Sequence, residues 1–164
     1  MWSRFAYKVG ENLFTLDEIE HGILRCNKGH PKDSIPMFEA EDSRQFLVQK
    51  NLDPRIHFAL NCGANSCPPI RIYQAEKLEK QLDLAAKSFV NQDLQIQNGK
   101  VKMSKLLLWY KKDFGQNDDE VLETLLKFVQ DADLKVQVEQ ILKDKTQVEK
   151  IEHKDYDWVL NTTK

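Results

Sequence analysis

Asp53-Pro54-Arg55-Ile56-His57-Phe58-Ala59-Leu60-Asn61-Cys62-Gly63, continued by Ala64-Asn65-Ser66-Cys67-Pro68-Pro69-Ile70-Arg71, is the stretch on which the reading of the fold turns. Ile56 to Cys62 is apolar at most positions and bounded by Asp53-Pro54 and Gly63, which describes a short strand with both faces largely covered. Gly63 to Pro69 reads as a turn-rich loop, and Ile70 to Tyr73 as a second short extended piece. The chemistry is concentrated here as well, because the stretch holds two of the three cysteines and one of the four histidines.

Toward the N-terminus, Phe5 to Val9 and Leu13-Phe14 predict a hairpin about Gly10-Glu11-Asn12. Thr15 followed by Glu18 is a capping-box pattern that opens a helix from Leu16 to Arg25. Cys26 to Ser43 reads as a long irregular connection, and Arg44 to Asn51 as a short helix. Toward the C-terminus, Leu78, Leu82, Ala85, Ala86 and Phe89 recur at helical spacing and predict an amphipathic helix to about Val90. Leu94 to Gln97 and Lys100 to Met103 flank Asn98-Gly99, a pair suited to a type I′ hairpin turn. Ser104 can cap a helix that ends near Gly115, and two further helices are predicted over residues 118–130 and 132–142. Val148 to Glu152 reads as a closing strand. The expectation is one α+β domain over residues 1–164, with a small mixed or antiparallel sheet and four to five helices packed around it.

A net charge of −2 gives no electrostatic case for nucleic acid or an anionic membrane as partner. No segment approaches the roughly 20 consecutive apolar residues that span a bilayer. Met1 to Lys8 lacks the continuous apolar core and small-residue cleavage site of a signal peptide. An odd number of cysteines in a chain of this size argues against a secreted disulfide framework, so the expected compartment is the cytoplasm.

Cys62 is the first candidate for function, as a thiol where a strand stops and the chain must turn at Gly63. A nucleophilic thiol needs its thiolate stabilised by a cation, a histidine or a helix N-terminus. The structural alternative is a small apolar residue on one face with Ile56, Phe58 and Leu60. On an extended strand His57 would lie about 16 Å from Cys62 and on the opposite face, so a base would have to come from another element. His21, at the edge of the first helix's apolar stripe, is the better placed histidine. At 100° per residue Glu20 falls inside that stripe between Leu16 and Leu24, where a carboxylate is costly unless paired. It would either hold Arg55, Arg71 or exposed amides, or orient a histidine as the acid of a Cys-His-acid set, with Asn61 as the other orienting candidate. Arg55, Ser66, Cys67 and Arg71 are the candidate substrate-binding residues.

Cys67 lies five residues beyond Cys62. A loop that folds back would bring the two Cα atoms to the roughly 5.5 Å of a disulfide, although the spacing is not Cys-x-x-Cys. A zinc set of Cys62, Cys67, His57 and His21 lacks the paired spacings of a structural zinc site, so no metal or other cofactor is expected. Trp109, Tyr110, Tyr156 and Trp158 read as core or lid aromatics, His30 and His153 as solvated, and Cys26 as a spectator.

Several blocks resemble a known family. Leu16-Asp17-Glu18-Ile19-Glu20-His21-Gly22-Ile23-Leu24-Arg25, the central block from Asp53 to Gly63, and Ser66 to Arg71 are similar to marks of the family called domain of unknown function 547. Trp109-Tyr110, Asp113-Phe114-Gly115, Tyr156-Asp157-Trp158 and Leu160-Asn161 resemble its later marks, in the family's order. The family's N-terminal helical block, which resembles "FWINLYNAL", has no counterpart, so the chain is expected to be truncated at its N-terminus. Self-association through the face left by that block, or an unidentified protein or peptide partner, is the corresponding expectation. The resemblance implies no reaction. Family members can be joined to glutaredoxin-like or other modules, which is association and not mechanism.

Three functions follow as expectations. The first is thiol-dependent acyl transfer or amide hydrolysis, papain-like or transglutaminase-like in logic, with Cys62 as nucleophile, His21 or His57 as base and Glu20 or Asn61 as orienter. The second is a non-catalytic interaction or regulatory module whose Cys, His and Glu residues are structural. The third is a thiol–disulfide redox role of Cys62 and Cys67.

Overall fold

The computed structural model describes residues 5–162, which divide into two compact bodies, residues 5–53 and 54–162. Its class is α+β, with five α-helices, several shorter helical turns and two small sheets among the described residues.

In the first body, strands β1 (Ala6–Val9) and β2 (Asn12–Thr15) form the predicted antiparallel hairpin, turning at Gly10 with φ of 59°. The capping box is present in both directions. The Thr15 amide donates to Glu18 Oε2 at 2.7 Å, and the Glu18 amide donates to Thr15 Oγ1 at 3.1 Å. The helix it opens is wound wider than expected, as a π-helix over Glu18–Leu24 whose register is carried past its end by Arg25 N–H to Glu20 O. That winding undoes the 100° wheel, and Glu20 is only partly buried. Gly22 is required where it stands, because a Cβ there would meet the Phe38 ring at 2.5 Å. The short helix expected at residues 44–51 is a 3₁₀ turn over Ser43–Leu47, capped by Asp42. Arg44 bonds to Asp42 and Glu18 at 2.8 Å each and lies over the Phe38 ring.

In the second body, the expected strand from Ile56 to Cys62 is absent. Pro54–Phe58 is a 3₁₀ helix, and Ala59 N–H and Leu60 N–H both donate to Ile56 O. Proline suits the first turn of a helix because its φ is already set and it has no amide to lose. A short apolar run carries no period that separates a covered strand from a buried turn. The extended piece expected at Ile70 to Tyr73 does not join a sheet, and Ile70 and Ile72 are 81% and 86% exposed.

Beyond it, α1 (Leu78–Asp93) buries Leu82, Ala85, Ala86, Phe89 and Val90, as its spacing predicts. Strands β3 (Gln95–Gln97) and β4 (Lys100–Met103) pair antiparallel across Asn98 and Gly99, whose φ values of 52° and 71° are those a type I′ turn needs. The helix after Ser104 breaks at Tyr110 into α2 (Leu106–Trp109) and α3 (Lys111–Phe114). Helices α4 (Asp118–Leu126) and α5 (Ala132–Lys143) follow, with Asn117 and Asp131 as their N-caps. Strand β5 (Ile151–His153) then returns beside β4 in parallel, so the sheet is mixed, in the order β3-β4-β5. Lys150 is buried at this return, with Nζ 2.7 Å from Asp119 and bonded to Leu142 O.

The core of this body is filled by Phe58, Ala86, Phe89, Val101, Met103, Leu122, Leu125 and Val138. Phe58 is central to it, with ring centroids 5.2, 5.5 and 6.5 Å from those of Phe89, Phe114 and Phe128. It also anchors the turn that leads into the cysteine loop. Phe58→Ala is therefore expected to lower stability by about 4 kcal/mol, measured by urea unfolding of the purified chain.

Candidate functional site

Cys62 and Cys67 sit at the two ends of a loop that Asn61 closes on itself. Asn61 Oδ1 accepts the Gly63 amide at 2.6 Å, and Asn61 Nδ2 donates to Pro68 O at 2.5 Å. Gly63 takes φ of 84°, a left-handed turn that glycine enters at no steric cost. The loop is also strapped by the C-terminal segment. Asn65 N–H donates to Val159 O, Asn161 N–H to Gly63 O, and Ala64 pairs antiparallel with Leu160. Asp157 ties the same loop three times, accepting from Asn65 Nδ2 at 2.9 Å, donating its own amide to Ser66 Oγ at 2.9 Å and accepting the Ser66 amide on its carbonyl at 3.3 Å.

These restraints place the two sulfurs 2.6 Å apart, with both cysteines free. The Cys62 amide donates to Cys67 Sγ at 3.1 Å. Tyr156 Oη lies 3.3 Å from Cys67 Sγ and 3.6 Å from Cys62 Sγ. An amide can only donate, so Cys67 Sγ accepts from the Cys62 amide, while the Ala64 amide serves both sulfurs. Burial works against its charge, but the Cys62 thiol, the Tyr156 hydroxyl and the Cys62 amide together hold Cys67 below the usual thiol range. Partial burial and the neighbouring Cys67 push the Cys62 thiol up. Burial and the same two sulfurs keep the Tyr156 phenol protonated far beyond the ordinary tyrosine range, so it remains a donor.

The other residues singled out from the sequence are held elsewhere. Among the described residues the polar groups that meet the Cys62 sulfur are Cys67 Sγ, Tyr156 Oη and the Ala64 amide, and no imidazole nitrogen is among them. His57 is buried, with Nε2 2.9 Å from Asp113 Oδ2 and its ring stacked on Tyr110 at 4.0 Å. Glu20 and His21 belong to the first body. There Arg25 donates to His21 Nδ1 at 3.2 Å, while the Glu20 carboxylate stands 3.9 Å from that nitrogen. Arg55 forks onto Glu79 and Asp83 of α1 at 2.7 Å each, and Arg71 donates to Ser88 Oγ. Among the described residues no three His, Cys, Asp or Glu side chains are grouped so as to hold a metal ion, and no helix is long and apolar enough to cross a membrane.

Two site residues escape a reading along the chain. Tyr156 reaches the sulfurs from about ninety positions away, and Asp113 reaches His57 across 56. Both stand in motifs visible in the sequence, Tyr156-Asp157-Trp158 and Asp113-Phe114-Gly115, but nothing local says which partner each meets. The site makes a definite acid–base prediction. Cys67 is expected to be alkylated by iodoacetamide at lower pH than Cys62. Tyr156→Phe removes a donor to the thiolate and should raise the Cys67 midpoint by about one pH unit, since a hydrogen bond is worth about 1 kcal/mol. Mass mapping of each alkylated cysteine against pH measures both.

No curated protein and no solved structure matches the chain significantly. A family model described as "Protein of unknown function, DUF547" matches residues 1–90, which include Cys62 and Cys67, while Asp113, Tyr156 and Trp158 lie beyond it. The match covers more than half of the sequence, and the chain therefore belongs to the DUF547 family.

Proposed function

We propose that this domain is a thiol–disulfide exchange module whose working pair is Cys62 and Cys67. The observation that carries the reading is the 2.6 Å approach of two free sulfurs, held by one loop and sharing the Tyr156 hydroxyl. Closing a bond of roughly 2.05 Å between them requires little movement of the loop. The two sulfurs also differ in a useful way. Cys62 is exposed, so it is the sulfur an incoming thiolate meets, while Cys67 is the stabilised leaving group.

In the oxidising direction a substrate thiolate attacks Cys62 Sγ of the disulfide form. The Cys62–Cys67 bond breaks, its electron pair leaves on Cys67, and a mixed disulfide forms at Cys62. The substrate's second thiolate then attacks its own sulfur in that mixed disulfide and displaces Cys62, which takes up a proton. The substrate has lost two electrons and two protons; the pair holds both electrons, with one proton on Cys62, and the second proton goes to solvent or, below the Cys67 midpoint, to Cys67. Run backward, the same steps reduce a substrate disulfide, and the relative reduction potentials set the direction.

Acyl transfer by Cys62 with His21 or His57 as base has less support, because the contacts of the Cys62 sulfur include no imidazole and His57 is engaged by Asp113. The test is a redox titration in glutathione buffers between roughly −320 and −180 mV, the span of cellular poises. The expected result is a reversible Cys62–Cys67 disulfide with a midpoint inside that span, absent in Cys62→Ser and Cys67→Ser. Asn61→Ala, which frees the loop, should make the bond easier to reduce by about 30 mV, the equivalent of roughly one hydrogen bond. Two thiols that stay alkylatable at every poise would sink the reading.

A further inference from the structure

The pair does not stand on bare surface. The Tyr156 ring, whose hydroxyl touches both sulfurs, packs at 4.6 Å on Trp158 and at 4.8 Å on Trp109. The two indoles stack on each other at 5.4 Å and 28°, and Trp158 is 65% exposed while Trp109 is 38% exposed. Leu160, also exposed, reaches within 3.8 Å of the point where a side chain on Gly63 would begin. Two indoles and a leucine clustered in the open beside the cysteine pair form an apolar patch of the kind that marks contact sites, and tryptophan is among the residues enriched where protein contacts carry most energy.

Charge narrows the choice of partner. Asp157 is bonded to Asn65 and Ser66 of the cysteine loop, and the Asn65 side chain and the Val159 amide hold its carboxyl below the usual range, so it is an anion beside the pair. The nearby Lys105 is matched by Asp155 at 3.0 Å and offers little to offset it. An anionic small disulfide such as glutathione disulfide would approach this loop against repulsion and would leave the indoles uncovered.

We infer that the substrate of the Cys62–Cys67 pair is a cysteine-bearing peptide segment with apolar flanks and no net negative charge, seated on the Trp109–Trp158 face. This rests on the exchange function proposed above and names its substrate class. Docking holds the peptide's sulfur at Cys62 and supplies binding energy that a small disulfide cannot draw on. With a disulfide substrate the reduced pair reacts. A bond forms between Cys62 Sγ and one substrate sulfur, and the substrate's S–S bond breaks with its electron pair leaving on the other sulfur. Cys67 then displaces the bound sulfur as the Cys62–Cys67 bond closes.

The test compares exchange rates of the full chain with three probes: glutathione disulfide, a disulfide of a capped peptide with leucine and valine beside its cysteine, and a matched peptide with aspartate flanks. The apolar peptide should react fastest, and Trp158→Ser should cut its advantage over glutathione disulfide by about tenfold. Trp158 is largely exposed, so the variant should fold. Asp157→Asn should raise the glutathione and aspartate-peptide rates severalfold. Equal rates for the three probes, or an advantage that survives Trp158→Ser, would overturn the docking inference while leaving exchange intact. A pair inert to all three would remove the exchange function and the inference with it.

Discussion

The amide side chain of Asn61 bonds to both ends of the loop from Gly63 to Pro68, and the placement of the two sulfurs depends on that closure. A loop of this length has many conformations, and each ordered residue costs about 1–2 kcal/mol of backbone entropy. One side chain that satisfies the Gly63 amide and the Pro68 carbonyl together removes the alternatives in which Cys67 points away. Pro68 is itself buried, which fixes the far end of the loop to the body beneath it. The near end is fixed by the Phe58 ring, three residues before Asn61, through its contacts with Phe89 and Phe114. The placement of the two sulfurs therefore rests on a polar clamp at the loop and an aromatic anchor before it.

Features set by neighbouring residues were legible in the sequence. Asn98-Gly99 dictates its turn because both positions need positive φ, and Thr15 with Glu18 dictates a helix start because each satisfies the other's amide. Helix α1 was legible because its period repeats over four turns. The run from Ile56 to Cys62 was not, since seven mostly apolar residues fit a covered strand or a buried turn equally, and Pro54 decided for the turn. The π winding of Glu18–Leu24 was hidden for a similar reason: a wheel drawn at one angle per residue assumes the hydrogen-bond register it is meant to reveal. Of the candidate site, the approach of Cys67 to Cys62 could be anticipated from their spacing. Tyr156 and Asp113 could not be assigned partners, because tertiary structure alone brings them to Cys62 and His57.

The His57–Asp113 pair illustrates how an apparent site residue can serve the fold. Both side chains are almost wholly buried, and the imidazole is stacked on Tyr110, where the helix after Ser104 breaks. A buried polar pair of this kind contributes little net stability, but removing one member leaves the other uncompensated in the interior. It also links the turn that begins at Pro54 to α3 in only one register. His57 thus has a sufficient role in holding the approach to the cysteine loop in place.

The segment from Asp155 to Asn161 holds the loop by hydrogen bonds and a single β-bridge and not by buried apolar contact, and most of its side chains face water. Such a segment belongs to the least stable part of a fold and detaches far more often than the core unfolds. Each detachment would carry the phenol away from both thiols and weaken the thiolate at Cys67. On the exchange function proposed above, the reactivity of the pair would follow the docking equilibrium of this peripheral ribbon. Crowding or a ligand that presses the ribbon down would heighten sulfur reactivity without contacting either sulfur.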